Sequence, residues 1–214
     1  MAVWIDGQTH ETVITDSRSH AERQPSEAMH WLKELGLTFG DIDTFVVLAG
    51  PGSFTGLRVG LAAVQGWAVS TGRPLAAVPT LAAVVAAGPE LSPDQVVVPC
   101  LDGQRGEVFY GAVVGGRWLI EPAVAKPSDV IAAVSMHAPG VGVVALGDGA
   151  ERYQDQFAQA GWQCTPFVKS LAEAAVRLVA AGHYAPGTPH AVRLQYVRRT
   201  DAEVNRERQR GQTA

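Results

Sequence analysis

The sequence predicts an α/β fold made of two domains with related topology. Two hairpin strands, a helix, an apolar strand and further helices occur in this order twice along the chain, as expected of α/β domains. Two uninterrupted apolar runs, at residues 44–50 and 141–147, are typical of strands covered on both faces. Between the two halves, residues 88–94 (GPELSPD) interrupt the apolar pattern and predict a boundary.

These signals divide the chain into three parts. We expect a first α/β domain at residues 1–90, a second at residues 94–192, and a partly flexible C-terminal tail at residues 193–214. The sequences of the two halves do not repeat, so their relation depends on element order alone.

Turn and cap residues set the first elements. Residues 1–16 predict a hairpin that turns at Gly7 and Gln8. Residues 19–36 predict a helix with a capping box formed by Ser19 and the glutamate three residues later. Pro25 is expected to kink that helix or to delay its start.

The remaining elements follow from apolar runs and helical spacing. A long helix from about Thr55 to Ser70 follows the first apolar strand, and residues 74–78 and the alanine-rich segment after them predict a strand and a helix. Ser128 is the expected cap of a helix in the second half. The second half predicts strands at 96–102, 106–114, 117–122 and 141–147, and helices at 127–136, near 150–160 and at 169–181.

Composition excludes several classes of protein. With 47% hydrophobic and 18% charged residues, the chain of 214 residues is not intrinsically disordered, and two cysteines do not make a disulfide scaffold. No apolar run reaches the ~18–20 residues of a membrane span, and no signal peptide is recognisable, so we expect a cytoplasmic protein with reduced cysteines. The net charge of −4 disfavours binding of nucleic acid by this chain alone.

The glycine-rich segment 50–60 (GPGSFTGLRVG) is the most informative part of the sequence. It predicts a strand-to-helix turn in which Ser53 and Thr55 can cap the following helix. Such a turn could also hold an anion at the helix N-terminus. The segment lacks the Gly-Lys-Ser/Thr of a Walker A loop, and the dinucleotide pattern G-x-G-x-x-G fails at Thr55. A structural turn is therefore favoured over a phosphate site, with both left open.

The helix after this loop has two stripes that favour burial. A soluble helix needs one such stripe, so the second indicates either a close partner or a helix sandwiched in the core. The first stripe is apolar: Leu57, Leu61, Val64 and Ala68. The second is small except at its end: Gly56, Gly60, Ala63 and Trp67.

Several motifs together resemble one protein family. The unbroken segment DIDTFVVLAGPGSFTGLRVG at residues 41–60 resembles the signature of the TsaB (YeaZ) family, and DGQRGEVF at residues 102–109 resembles its Asp-Ala-Arg-x-x-Glu-Val-Tyr motif with Gly103 in place of alanine. His20, the Gly-Asp-Gly-Ala at residues 147–150 and the Tyr-Val-Arg at residues 196–198 fall in family order. The resemblance covers most of the chain.

The resemblance implies both a fold and a function. The fold is the actin-like (ASKHA) two-domain architecture of RNase H-like domains, with its first strand apparently missing, because the family begins with an additional strand that ends in Asp-Thr-Ser. The function is that of a non-catalytic scaffold that pairs with TsaD, is joined by the ATPase TsaE, and contacts tRNA only indirectly. The complex uses ATP and Mg²⁺ to transfer threonylcarbamoyl from its adenylate to the adenosine next to the anticodon, and a homodimer is also compatible.

The expected partner-facing residues lie on the first two long helices and the loop between them. None is assigned to catalysis or to a metal, and no cofactor is assigned to this chain. The expected partner-facing residues are Met29, Leu32, Gly52, Gly56, Gly60, Ala63 and Trp67, and the candidates for anion or nucleotide contact are Ser53, Thr55 and Asp102.

The competing interpretation is an enzyme, either nucleotide-dependent or a peptidase of the glycoprotease type. A phosphate-loop lysine, a metal triad and an activated nucleophile are all missing from the sequence. Asp102, Glu107 and Asp148 could gather around Mg²⁺, although turn formation explains the two aspartates as well. The tail at 193–214 carries six basic and three acidic residues and is a candidate for weak tRNA contact within the complex.

Overall fold

A computed structural model describes residues 1–13, 20–165 and 170–198 of the chain. In its N-terminal half, β1 (Ala2–Ile5) and β2 (Gln8–Glu11) form an antiparallel hairpin. The strands β3 (Phe45–Leu48) and β4 (Leu75–Val78) form a separate parallel pair.

The hairpin turns one residue earlier than predicted. Asp6 and Gly7 both have positive φ, at 47° and 87°, and Ile5 pairs with Gln8. Such a two-residue turn with positive φ at both central positions matches the twist of the flanking strands. The second strand therefore begins at Gln8 rather than at Glu11. Residues 14–16 of the predicted strand lie outside the described residues.

The C-terminal half is built on one five-stranded sheet in the order β7-β6-β5-β8-β9. The strand β5 is antiparallel to β6 and parallel to β8. The sequence did not indicate β9, which has three residues and too little apolar character to give a strand signal. The five strands are β5 (Val96–Asp102), β6 (Val108–Val114), β7 (Arg117–Ala125), β8 (Val143–Leu146) and β9 (Gln163–Thr165).

Seven α-helices are described in these parts of the chain. They are α1 (His20–Glu34), α2 (Phe54–Thr71), α3 (Thr80–Ala87), α4 (Pro127–His137), α5 (Asp148–Arg152), α6 (Gln154–Gln159) and α7 (Leu171–Ala180). The helix α1 continues through Pro25, and the predicted cap Ser19 lies outside the described residues. The cap of α4 is Lys126 and not Ser128, because Pro127 already occupies the first turn.

Both halves contain a hairpin followed by helices and parallel strands, which confirms the α/β fold class, and the C-terminal half has one additional strand, β5, before its hairpin. In the C-terminal half, β5 joins the hairpin β6–β7 to the parallel pair β8–β9. In the N-terminal half, the hairpin β1–β2 and the parallel pair β3–β4 remain separate sheets, and α7 packs against all four strands.

The core is continuous across residues 88–94. Leu81 and Val84 of α3 pack in one cluster with Leu101, Val144 and Leu146 from the five-stranded sheet. The helix α7 returns to the N-terminal half and packs against α3 and β1–β4. Apolar side chains from both halves therefore share one core, and the proposed division of the chain into two domains at residues 90–94 stays a prediction.

Candidate partner-binding surface

The glycine-rich loop forms a capped helix start. Ser53 is the cap of α2, and its Oγ accepts a hydrogen bond from the Gly56 N–H at 3.3 Å. Thr55 is exposed in the first turn, one residue after Phe54 begins the helix. Among the described residues, no histidine or carboxylate hydrogen-bonds to Ser53, so the structure provides no base that would activate it as a nucleophile.

The first glycine of the loop is required by close packing. Gly50 has φ 104°, and a Cβ placed on it would lie 2.6 Å from the backbone oxygen of Gln195. Thr80 fixes Gly50 on both sides, because its Oγ1 accepts from the Gly50 N–H at 3.1 Å and its N–H donates to the Gly50 carbonyl at 2.8 Å. Packing therefore explains this glycine without a bound phosphate.

The first predicted stripe of α2 faces the core. Leu61 and Val64 pack against the cluster that contains Phe45 and Val47 of β3, and Ala68 is fully buried. This confirms the apolar stripe as the side on which α2 rests against the N-terminal half.

The second predicted stripe lies at the edge of the buried side. Gly56 is exposed, whereas Gly60, Ala63 and Trp67 are half-buried. The Trp67 ring stacks on the Phe39 ring with centroids 4.8 Å apart, so Trp67 already packs against an aromatic residue of its own chain. A Cβ on Gly60 would meet no atom of the described residues within 4 Å, so nothing in the part of the chain that the structure describes requires glycine there. Whether the stripe contacts a partner stays a prediction.

The opposite side of α2 is more exposed than the predicted stripe. Its members recur at spacings of four, four, four and three residues, as one helical face requires. All five are exposed, with Phe54 at 43% and Val69 at 49%. We call this set the outer face of α2: Phe54, Arg58, Ala62, Gly66 and Val69. This face could have been predicted from the sequence, because Arg58 is the single charged residue among the 18 residues of the helix.

The helix α1 packs against α2, and the two predicted partner-facing residues on α1 differ in exposure. Met29 is 55% exposed, and its contact with a partner stays a prediction. Leu32 is 4% exposed, so its side chain cannot face a partner, and the prediction for Leu32 is wrong because this position belongs with Ala28 on the buried side. Gly52 is half-buried, and a Cβ there would lie 3.8 Å from the Leu57 side chain.

Asp102 lies at the end of β5. Its carboxylate accepts a hydrogen bond from Arg152 at 2.7 Å and its backbone N–H donates to Asp148 Oδ1 at 3.1 Å. Glu107 forms an ion pair with Arg198 instead. In the part of the chain that the structure describes, no group of three or more histidine, cysteine, aspartate or glutamate residues could hold a metal ion.

The two cysteines have the surroundings of inert thiols. Cys100 is buried in β5, and burial raises the pKa of its thiol far above the ordinary range. Burial also raises the pKa of Cys164, which is half-buried. A thiolate is the reactive form, so both shifts oppose nucleophilic chemistry. The arginine-rich part of the tail, after residue 198, lies outside the described residues.

Comparison with known proteins gives the family. The model of the family described as "TsaD: tRNA N6-adenosine threonylcarbamoyltransferase" matches residues 13–199. This chain belongs to the TsaD/TsaB family. No helix in the described residues is long and apolar enough to cross a membrane.

Named relatives and solved structures agree with this assignment. An uncharacterised protein of Mycobacterium tuberculosis is 33% identical over 90% of this chain and 82% of its own length. The Escherichia coli tRNA threonylcarbamoyladenosine biosynthesis protein TsaB is 30% identical over 61% of this chain and 58% of its own length. A Pseudomonas aeruginosa protein described as similar to peptidase YeaZ has the same fold, with a TM-score of 0.72 at 24% identity over 92% of this chain and 93% of that one.

Proposed function

We propose that this chain is a TsaB-type accessory subunit of tRNA threonylcarbamoyladenosine formation, and that it acts in the cytoplasm as a non-catalytic partner of TsaD. The Escherichia coli, Haemophilus influenzae and Bacillus subtilis relatives named TsaB support the pathway. In this proposal TsaE joins the pair, tRNA is contacted indirectly, and the ATP and Mg²⁺ of the reaction belong to the complex.

The observation that carries the proposal is the exposed side of α2. A helix on the surface of an independent protein usually carries charged residues on its outer side. The outer face of α2 has a single charge, at Arg58, and otherwise presents Phe54, Val69 and small residues. Exposed apolar faces of this kind mark interaction surfaces.

The glycines of α2 support the same conclusion. A glycine inside a helix costs roughly 0.5–1 kcal/mol relative to alanine. A Cβ on Gly60 or Gly66 would meet nothing within 4 Å, so neither glycine is explained by packing inside this chain. Small residues on a helix allow a second helix backbone to approach closely, as a paired subunit would.

The experiment is co-purification with TsaD of the same organism, analysed by size-exclusion chromatography with light scattering. We expect a stable heteromer that Gly66→Leu disrupts, because Gly66 lies on the outer face of α2 and the leucine side chain fills the space needed by the partner. Gly142→Leu is the matched control, since Gly142 is exposed, is surrounded by open space and lies outside α2. Separate peaks for the folded wild-type chain and TsaD would contradict the proposal.

No described feature favours the enzyme alternatives over this role. Ser53 serves as a helix cap, and the Asp102 carboxylate is paired with Arg152. A homodimer through the same face is the second candidate, and the same chromatography of this chain alone tests it.

A further inference from the structure

An arginine and two aromatic rings form an exposed cluster at the start of α2. The Cζ atom of Arg58 lies 3.7 Å from the centroid of the Phe54 ring, and Arg58 Nε donates a hydrogen bond to Tyr196 Oη at 3.0 Å. The two aromatic rings are 5.5 Å apart. Phe54 is 43% and Tyr196 47% exposed. We call these three residues the Arg58 clasp.

The clasp holds the guanidinium in one orientation. Tyr196 belongs to a C-terminal segment that is fixed on both sides: Gln195 N–H donates to the Ala49 carbonyl at 2.7 Å, and Arg198 Nη1 donates to the Gly103 carbonyl at 2.6 Å. The bond to Nε leaves the two terminal nitrogens of Arg58 available to other acceptors. A held arginine loses less side-chain entropy on binding than a free one, and this raises affinity.

The terminal nitrogens of Arg58 have no acidic partner in the described parts of the chain. No carboxylate of those residues lies within 4.0 Å of the guanidinium. The adjacent groove is lined by Arg58, Arg193, Leu61, Ala62, Val192 and Leu194, with Gln65 and Tyr196 and no aspartate or glutamate. This locally positive groove lies on a chain whose net charge is −4.

We propose that the Arg58 clasp binds a carboxylate side chain of TsaD, the protein proposed to cover the outer face of α2. This inference rests on the proposed function and adds the contact that orients the pair. An arginine fork binds a carboxylate through two parallel hydrogen bonds, which a lysine cannot reproduce. Arginine and tyrosine are also the residue types that dominate binding energy at protein interfaces.

A protein carboxylate fits the surroundings better than a nucleic-acid phosphate. The clasp is continuous with the apolar outer face of α2, which includes Ala62, Gly66 and Val69. A polyanion has no apolar groups that would pack against these residues. Nucleic-acid sites contain several phosphate contacts, and an acidic chain with two neighbouring arginines provides few of them. A phosphate ligand is therefore an outcome of the test that would overturn the proposal.

The test measures the affinity of the full chain for TsaD by calorimetry at low and high salt. We expect Arg58→Gln to weaken pairing roughly 10- to 100-fold, as for loss of a charge-assisted bidentate contact. Arg58→Lys should recover only part of this loss, and Tyr196→Phe, which removes only the hydroxyl, should weaken pairing several-fold. Arg117→Gln, at an exposed arginine of β7, is the control and should bind like wild type.

The outcomes separate this inference from the proposed function. If Gly66→Leu abolishes pairing but Arg58→Gln stays within twofold of wild type, the clasp does not bind a carboxylate and the function stands. If wild type fails to pair with TsaD, both are overturned. If Arg58→Gln lowers tRNA affinity and leaves protein pairing unchanged, the clasp binds phosphate. Because Arg58 is exposed, we expect its variants to unfold at the wild-type temperature, and Tyr196→Phe provides an independent test should they not.

Discussion

Gly66→Ala is predicted to stabilise the isolated chain and to weaken its pairing with TsaD. The substitution adds one methyl group to the outer face of α2, at a position where a Cβ meets no described atom within 4 Å. Replacing a glycine by alanine inside a helix yields about 0.5–1 kcal/mol. For a chain of this size, that free energy corresponds to a rise of about 1–4 °C in Tm.

The assay is thermal unfolding followed by circular dichroism, with two comparison variants. Gly60→Ala, also in open space on α2 but outside its outer face, should raise Tm by a similar amount. Gly149→Ala should lower the free energy of unfolding by about 1–3 kcal/mol, because its Cβ would lie 2.7 Å from the backbone of Leu101.

The result that would refute this reasoning is a Tm of Gly66→Ala below that of wild type. Gly66 would then be packed against other parts of the same chain, and its small size would need no partner. A higher Tm combined with unchanged affinity for TsaD would instead place the interface elsewhere on α2 or on α1. The expected pattern is opposite signs in the two measurements.

Three further predictions follow from local geometry. Gly50→Ala should destabilise the chain by about 1–3 kcal/mol in chemical denaturation, because its φ is 104° and the C-terminal segment occupies the Cβ position. In thiol titration of the native protein, Cys100 should stay unreactive, Cys164 should react slowly, and unfolding should expose both. The pKa of Asp41 is lowered by hydrogen bonds from the Thr38 hydroxyl and N–H. Thr38→Val should therefore raise the pKa of Asp41 in an NMR titration. The stabilisation that Asp41 provides should be lost as pH falls through this lowered pKa.

Long elements were predictable from sequence because their signals are redundant. The strand β5 occupies the predicted residues 96–102, and α2 differs from its prediction by one residue at each end. Short elements were not predictable, since β9 has three residues and no apolar alternation. The cap of α4 was misassigned because Ser128 is a good cap by type, whereas the position of Pro127 decides where the helix begins.

The candidate surface was predictable in part. The glycines and the family signature pointed to α2, but spacing alone could not decide which side of the helix remains exposed. That side depends on where α1 and Phe39 pack, which is a tertiary property. For the same reason Leu32, apolar and next to an exposed methionine, was assigned to the surface although it is buried. The Arg58 clasp joins residues 138 positions apart, and no local pattern reports such a contact.

The most direct test of the accessory role is reconstituted modification of tRNA. TsaD, TsaE, ATP, Mg²⁺ and threonylcarbamoyl adenylate are combined with unmodified tRNA, with and without this chain, and threonylcarbamoyladenosine is quantified by mass spectrometry. We expect modification when the wild-type chain is present, background levels when it is omitted, and strongly reduced levels with Gly66→Leu. Equal modification with and without the chain would contradict the account.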